Sequence, residues 1–253
     1  MSSPFLKHSS LAAAIGLLFI AATGVAAEGN NPAPDKPAAT APKPLSPAER
    51  ERLLAVRQYA ELHDMLALDS RCHWLDPVGR AAIEATANER LAWYVSRGWD
   101  QTEAVTAARD AVARRAGQAC NDEAGGKLGK AVQFGAWQMR VTWALRGAAM
   151  LPGKDKPAWF AGKSSVSQHR TALETAAAGI EAFNPEPVAK AKPAILQAVQ
   201  DMLPVRCKSA EKGCPPPPRD ARQAAYAETW VRQAELFADT LAKAKDKVGK
   251  PPQ

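Results

Sequence analysis

The chain has 253 residues, of which 46% are hydrophobic and 23% are charged, and its formal net charge at pH 7 is +7. This apolar fraction and modest net charge exclude a globally disordered protein. The length is sufficient to bury a sizeable core, in one large helical domain or in two smaller lobes.

Residues 1–27 have the pattern of a cleavable secretory signal peptide. Lys7 supplies a short basic region, residues 11–23 form an apolar run, and small residues precede the bond between Ala27 and Glu28, where we expect cleavage. The alternative, a membrane anchor, needs about 20 apolar residues to cross the hydrocarbon core, and this run is shorter. No twin arginine precedes the run and no cysteine follows it. We therefore predict a Sec-type signal, not a lipoprotein, and a periplasmic mature chain without a transmembrane segment.

Residues 28–45 are rich in proline and alanine and contain almost no large apolar side chains. Such a segment cannot bury enough surface to offset the entropy lost on ordering. We predict a disordered, largely polyproline II tether that spaces the folded domain from its surroundings. A Pro-x-x-Pro ligand for an SH3-like partner is the alternative interpretation.

Three helices are predicted between residues 46 and 117. Ser46 and Glu49 form a capping box with proline at the first helical position, and apolar residues then recur at helical spacing. Asp76, followed by proline, begins the second helix, and Asp100 begins the third. A glycine follows each of these two helices, Gly98 and Gly117.

Four further helices are predicted, at about 127–150, 165–183, 187–203 and 219–247, with Pro193 interrupting the third of them. The sequence has no sustained alternation of apolar and polar residues with a period of two, which is typical of strands, so a sheet is not expected. The fold class is therefore all-α, a multi-helix bundle of about seven helices behind a disordered proline-rich leader. The predicted divisions are an N-terminal lobe (46–151), a connecting loop (152–163), a C-terminal lobe (164–248) and a disordered tail (249–253).

The fourth predicted helix is apolar on nearly every side, which is typical of a helix surrounded by others. Arg140 is the exception, because a guanidinium in such a setting needs a carboxylate or several carbonyl acceptors. One interpretation is an internal ion pair with Glu84 or Glu89. The other places Trp137, Arg140 and Trp143 on the wall of a pocket for an anionic or aromatic ligand.

The four cysteines are an even set in a chain predicted to enter an oxidising compartment. Three pairings are open in principle, and we favour Cys72 with Cys120 and Cys207 with Cys214. The first bond would join the region between helices one and two to the region between helices three and four. A zinc site at His73 is the rival interpretation, but ligand spacings such as C-x-x-C are missing, so no metal is predicted.

Charge differs between the two halves of the chain. Residues 46–120 carry 10 basic and 11 acidic side chains, whereas residues 121–253 carry 20 basic and 13 acidic ones. The lysines near the C-terminus have two interpretations. They either belong to a solvated helix end or attract the chain to an anionic surface, such as lipid headgroups or a cell-wall polymer. Nucleic acid is not expected as a partner, because the chain is predicted to leave the cytoplasm.

No catalytic motif, cofactor-binding motif or family signature is identified in the sequence. We therefore predict a non-enzymatic exported protein with a binding or structural role in the cell envelope, without a cofactor and with a partner that the sequence does not identify. The alternative is a small-ligand binder or a hydrolase whose pocket lies near Trp137, Arg140 and Trp143. A filled core around the fourth helix would favour the first, and a concave pocket with converging polar groups the second.

Overall fold

The structure, a computed structural model, describes residues 44–150, 171, 173–178, 185–202, 221–244, 248 and 252. All regular structure in these residues is helical, as predicted: residues 173–178 are helical, and six longer helices have defined bounds. The predicted signal peptide and nearly all of the tether lie outside the described residues. The helices are α1 (Pro47–Cys72), α2 (Pro77–Ser96), α3 (Gln101–Arg114), α4 (Glu123–Met150), α5 (Pro185–Met202) and α6 (Ala221–Lys243).

The predicted capping box begins α1. The Glu49 amide donates to Ser46 Oγ at 3.2 Å, and the Ser46 amide donates to Glu49 Oε2 at 2.7 Å. The helix ends at His73, which has a left-handed backbone (φ 52°) and donates its amide to the Asp69 carbonyl. Both ends of α1 therefore satisfy backbone groups that a helix leaves without intrahelical partners.

Asp76 and Asp100 are the N-caps of α2 and α3, as predicted. Asp76 Oδ1 accepts from the Gly79 amide at 2.6 Å, and Asp100 Oδ1 accepts from the Thr102 amide at 3.0 Å. Glu103 does not complete a capping box, because its Oε2 instead accepts from Tyr94 Oη at 2.8 Å and pairs with Arg52 of α1.

The fourth helix begins at Glu123, four residues before the predicted start. Asp122 caps it, since its Oδ1 accepts from the Gly125 amide at 2.6 Å. The glycines that follow do not break the helix. A Cβ on Gly125 would lie 2.6 Å from the Ala119 carbonyl oxygen, and one on Gly129 would lie 3.0 Å from the Trp74 ring. Both glycines therefore permit close packing at the start of α4.

Helix α2 lies at the centre of the described helices. It contacts α1, α3, α4 and α6, while α1 packs mainly against α3 and α4 also packs against α5 and α6. One continuous core joins residues of all six helices, including Leu68, Ile83, Trp143 and Trp230. Core residues thus come from both predicted lobes, and the connecting loop at 152–163 lies outside the described residues.

The bond between Cys72 and Cys120 is present, with 5.5 Å between the Cα atoms. It attaches the last residue of α1 to the segment between α3 and α4, as predicted. Arg71 strengthens the same junction, because its guanidinium donates to the carbonyls of Ala116 and Gln118 at 2.6 and 2.7 Å. The other predicted pair, Cys207 with Cys214, lies outside the described residues.

Two carboxylates of α1 make ion pairs with other helices. Asp64 accepts two hydrogen bonds from Arg115, at 2.7 and 2.8 Å. Asp69 is 4% exposed and accepts from Arg80 of α2 at 2.7 Å. None of the described helices has both the length and the apolarity needed to cross a membrane.

Candidate functional site

The three predicted site residues lie on α4 but point in different directions. Successive residues of a helix are about 100° apart, so Trp137 and Trp143 are about 120° apart around the axis, with Arg140 between them. All three side chains are buried. Their contacts, however, are with different neighbours, and the structure does not bring the two indoles together at one point.

Arg140 forms the predicted internal ion pair, but with a different carboxylate. Its Nη1 lies 3.0 Å from Asp76 Oδ2 at the N-terminus of α2. The predicted partners Glu84 and Glu89 are therefore wrong. Glu84 is exposed and accepts from Arg80. Glu89 pairs instead with Arg146, which lies six residues after Arg140 on α4. Asp76 is thus both the cap of α2 and the partner of Arg140.

The two tryptophans of the predicted site also separate. The ring of Trp137 lies 5.5 Å from that of Phe134, and its Nε1 is sealed from solvent without a hydrogen-bond partner among the described residues. Trp143 faces α2 and α6 instead. Its Nε1 donates to Thr86 Oγ1 at 2.9 Å, and its ring centroid is 6.5 Å from that of Trp230.

A second polar group was missed by the sequence analysis, and it lies between α2, α4 and α6. We call it the interior ionic cluster; it consists of Glu89, Arg90, Arg146 and Tyr226. Glu89 is 3% exposed and Arg146 7%. Tyr226 Oη donates to Glu89 Oε1 at 2.6 Å, and Arg146 Nη1 lies 3.8 Å from Glu89 Oε2. The second distance permits electrostatic attraction but is too long for a hydrogen bond.

Two indole rings flank the guanidinium of Arg146. Its Cζ lies 4.7 Å from the ring centroid of Trp143 and 4.9 Å from that of Trp230. A guanidinium between two indole faces gains cation–π attraction that is largest where water is excluded. The rings, however, supply no hydrogen-bond acceptor, and Arg146 Nε has no partner among the described residues.

Burial changes the ionisation of this cluster. It lowers the pKa of Arg146, an effect that the Glu89 carboxylate opposes and the like charge of Arg90 increases. Burial and the Glu89 charge together raise the pKa of Tyr226 well above its ordinary value. The phenol therefore stays protonated at neutral pH and donates to Glu89.

Arg90 is the member of the cluster whose charge is least compensated by an opposite charge. It is 8% exposed, and its Cζ lies 5.7 Å from the ring centroid of Trp93. Its Nε is sealed from solvent and has no hydrogen-bond partner, and within the described residues no carboxylate lies in ion-pair distance. Glu89 thus pairs with Arg146 alone, and the positive charge of Arg90 lies near that of Arg146 without a carboxylate of its own among the described residues.

The sequence contained a signal for this cluster. Arg146 occurs in the same apolar stretch of α4 as Arg140, and Glu89 and Arg90 directly precede the apolar residues 91–95 of α2. Arg146 therefore needs an internal partner for the same reason as Arg140. The third helix involved, α6, follows α2 by more than 120 residues, so its contribution of Tyr226 had no local signal.

The rival metal site near Cys72 does not form in the described residues. Cys72 is in the disulfide, His73 is exposed at the end of α1, and the imidazole of His63 packs 4.6 Å from the Tyr59 ring. Burial lowers the pKa of His63. The described residues contain no group of three or more histidine, cysteine, aspartate or glutamate side chains that could hold a metal ion.

Known proteins provide no template for this arrangement. Comparisons with protein-family models, with curated proteins and with solved structures found no match to the chain. The candidate functional features are therefore taken from the chain itself: the disulfide, the Arg140–Asp76 pair and the interior ionic cluster.

Proposed function

We propose that the chain is an exported protein of the cell envelope with a non-enzymatic, binding or structural role. The observation that carries this proposal is the disulfide between Cys72 and Cys120. Such bonds persist in oxidising compartments, including the bacterial periplasm, and are rare in the cytosol. The signal-like pattern of residues 1–27 agrees with the same destination.

The use of polar groups in the helices supports a structural or binding role. Asp64, Asp69 and Glu103 each pair with an arginine of another helix, so these carboxylates hold the fold together. Helix α4 is packed against α2, α5 and α6, and its buried side chains include residues on all of its sides. Burial on all sides of α4 is what we expect of a protein that acts through its surface rather than through this helix. The excess of basic residues after residue 120 favours an anionic polymer, a lipid surface or an acidic envelope protein as the partner.

Small-ligand binding is the second candidate function. The interior ionic cluster favours it, because buried polar atoms that lack partners are expected at functional sites more often than in an ordinary core. The site would then lie around Arg146 and Trp143, with Arg140 and Trp137 outside it.

Export is tested by intact mass after expression of the full chain in a bacterium with a periplasm. We expect a protein that starts at Glu28, is recovered from the periplasm and resists alkylation until it is reduced. Ala27→Phe should block cleavage, because signal peptidase requires a small residue there, whereas Ala26→Phe should be cleaved normally. A mature protein that retains residues 1–27, or that alkylates before reduction, would contradict the proposal.

The binding role is tested with the mature protein and envelope fractions. We expect co-sedimentation with anionic vesicles or isolated cell wall that weakens as salt is raised, because screening reduces attraction between exposed charges. Zwitterionic vesicles are the control. Equal recovery with anionic and zwitterionic vesicles, and none with cell wall, would argue against an anionic partner.

A further inference from the structure

The interior ionic cluster has an excess of positive charge. Arg90 and Arg146 each carry one positive charge, and Glu89 is the only carboxylate that pairs with either of them in the described part of the chain. Tyr226 adds no negative charge, because its phenol stays protonated. The cluster therefore has a net charge of about +1 in a region from which water is largely excluded.

Three polar atoms of the cluster lack hydrogen-bond partners among the described residues. They are the Nε atoms of Arg90 and Arg146 and the Oε2 atom of Glu89. Buried polar groups in native proteins nearly always have a partner, in the protein or in ordered solvent. Two unsatisfied donors on arginines call for an acceptor that the described residues do not supply there.

The aromatic neighbours do not supply that acceptor. Trp93, Trp143 and Trp230 present ring faces to the guanidiniums, at 4.7 to 5.7 Å between Cζ and ring centroid. Indole nitrogen is a donor only. The rings thus shape the surroundings of the two arginines and exclude water, which strengthens the attraction of any anion that enters.

We propose that the interior ionic cluster binds a small monoanion, a halide or a simple carboxylate such as formate, between α2, α4 and α6 through Arg90 and Arg146. The charge count selects the class of ligand. A monoanion neutralises the excess charge of about +1, whereas a dianion such as sulfate would exceed it and would be repelled by Glu89. A guanidinium can bind either kind of monoanion, since it offers donors in a planar fork to a carboxylate and a weakly hydrated charge to a halide.

The arginines at the same end of α2 support entry of an anion. Arg97 lies seven residues after Arg90, on nearly the same face of the helix, and is exposed. Arg222 of α6 packs against Gly98, where a Cβ would lie 2.6 Å from its Nη1. Positive side chains around a site raise the local concentration of anions and their rate of association.

The test uses the mature, disulfide-bonded protein at constant ionic strength. The background salt has a bulky organic sulfonate as its anion, which is too large for the site, and chloride, formate or sulfate replaces it stepwise. We expect tryptophan fluorescence to change saturably with chloride or formate, because Trp143 and Trp230 flank Arg146. The Tm should rise by about 3 °C or more at saturation, since a ligand that binds only the folded state stabilises it.

The chloride and formate titrations identify the class of monoanion that binds. A stronger response to chloride assigns a halide site, and a stronger response to formate assigns a carboxylate site. A response in which sulfate is the most effective anion, or one that does not saturate, would overturn the proposal, because it would report a general salt effect.

Matched variants locate the response. Arg90→Met should weaken anion affinity at least about tenfold. Its Tm in the background salt should equal or exceed that of the parent, because replacing an uncompensated buried charge with an apolar side chain is commonly neutral or stabilising. Arg97→Met is the control: Arg97 also lies 5.7 Å from an indole centroid, that of Trp99, but it is exposed and pairs with Glu51. It should keep nearly the full response, because a screened surface charge changes the affinity far less than an arginine that contacts the anion.

The Glu89→Gln variant distinguishes anion binding from a purely structural role, because a structural role predicts no gain in anion affinity. The amide oxygen can still accept from Tyr226, while the competing negative charge is removed, so anion affinity should increase about tenfold. Weaker binding in this variant, or an undiminished response in Arg90→Met, would overturn the proposal.

Discussion

Asp76 performs two tasks with its two carboxylate oxygens. Oδ1 accepts from the Gly79 amide at 2.6 Å and begins α2, while Oδ2 lies 3.0 Å from Nη1 of Arg140 on α4. The side chain of Asp76 is 53% exposed, whereas that of Arg140 is only 10% exposed. The pair is therefore accessible to water on one side, and its strength should be closer to that of a surface pair than to that of a buried one.

We expect Asp76→Ala to lower the free energy of unfolding by about 1–2 kcal/mol, because it removes a cap and a charged partner. Asp76→Asn retains the cap and should cost less. A double-mutant cycle of Asp76→Asn with Arg140→Met, measured by denaturant unfolding, should give a coupling of about 1 kcal/mol. A coupling near zero would show that the ion pair adds nothing to stability.

All three tyrosines of the chain have pKa values above the ordinary value. Burial raises the pKa of Tyr59; burial and the hydrogen bond to Glu103 raise that of Tyr94 to about 12, and burial and the Glu89 charge raise that of Tyr226 well above its ordinary value. Because the folded-state values exceed the unfolded value of about 10, the associated stability is complete below pH 10. It is lost as the pH rises through the folded values.

We therefore expect the tyrosinate absorbance of the folded protein to develop at higher pH than that of a free tyrosine, with the contribution of Tyr94 near pH 12. Loss of the helical circular dichroism signal should accompany the last part of this change. N-acetyltyrosinamide, which titrates near pH 10, is the control. If one third of the absorbance change has a midpoint near pH 10 while the protein stays helical, one of the three side chains is more accessible than the structure indicates.

At the scale of elements, the C-terminus of α1 is fastened to the segment between α3 and α4. The disulfide joins residues 48 positions apart, and Arg71 donates to two carbonyls of the same segment. Ion pairs between α1 and α3 act along the same interface. Closing a loop of this length restricts the unfolded chain more than it changes the folded one.

Replacing both Cys72 and Cys120 with alanine should lower the free energy of unfolding by about 2–4 kcal/mol. Denaturant unfolding measures the change. The matched control is the double alanine variant of Cys207 and Cys214, which leaves the first bond intact. Equal stability of the Cys72/Cys120 variant and the parent would mean that the bond contributes no net stability.

At the scale of the whole molecule, α6 connects the two halves of the sequence. It packs on α2 and α4, and Asn88 Nδ2 donates to Gln233 Oε1 at 3.3 Å across 145 residues of chain. Trp230 is 0% exposed in this interface, beside Trp143 and Arg146. Removing its side chain should therefore loosen α6 from the rest of the core.

We expect Trp230→Ala to lower the free energy of unfolding by about 3–5 kcal/mol, because it removes a large buried side chain and leaves a cavity. Leu236→Ala is the control on the same helix: Leu236 is 52% exposed, and its loss should change stability by less than about 0.5 kcal/mol. Thermal and denaturant unfolding measure both. If the two variants have similar stabilities, α6 does not form part of the cooperative core.

Much of the local structure could be predicted because its causes are local. The capping box at Ser46, the caps at Asp76 and Asp100 and the apolar character of α4 each depend on residues within a few positions of one another. The start of α4 was predicted too late, because its glycines resemble helix breakers. They are required by contacts with Ala119 and Trp74, which the local pattern does not contain.

The sequence by itself determined that the chain is all-α and where most helices begin. It favoured the pairing of Cys72 with Cys120 among three possible ones, and an internal ion pair of Arg140 over a ligand pocket. Only the tertiary structure decided that the partner of Arg140 is Asp76, and that Glu89, Arg90, Arg146 and Tyr226 meet between three helices. The physical reason is that helical periodicity specifies which face of a helix is buried. It does not specify which helix covers that face, or how far along its axis the covering helix lies. These two features of the tertiary structure decide which charged side chains come into contact.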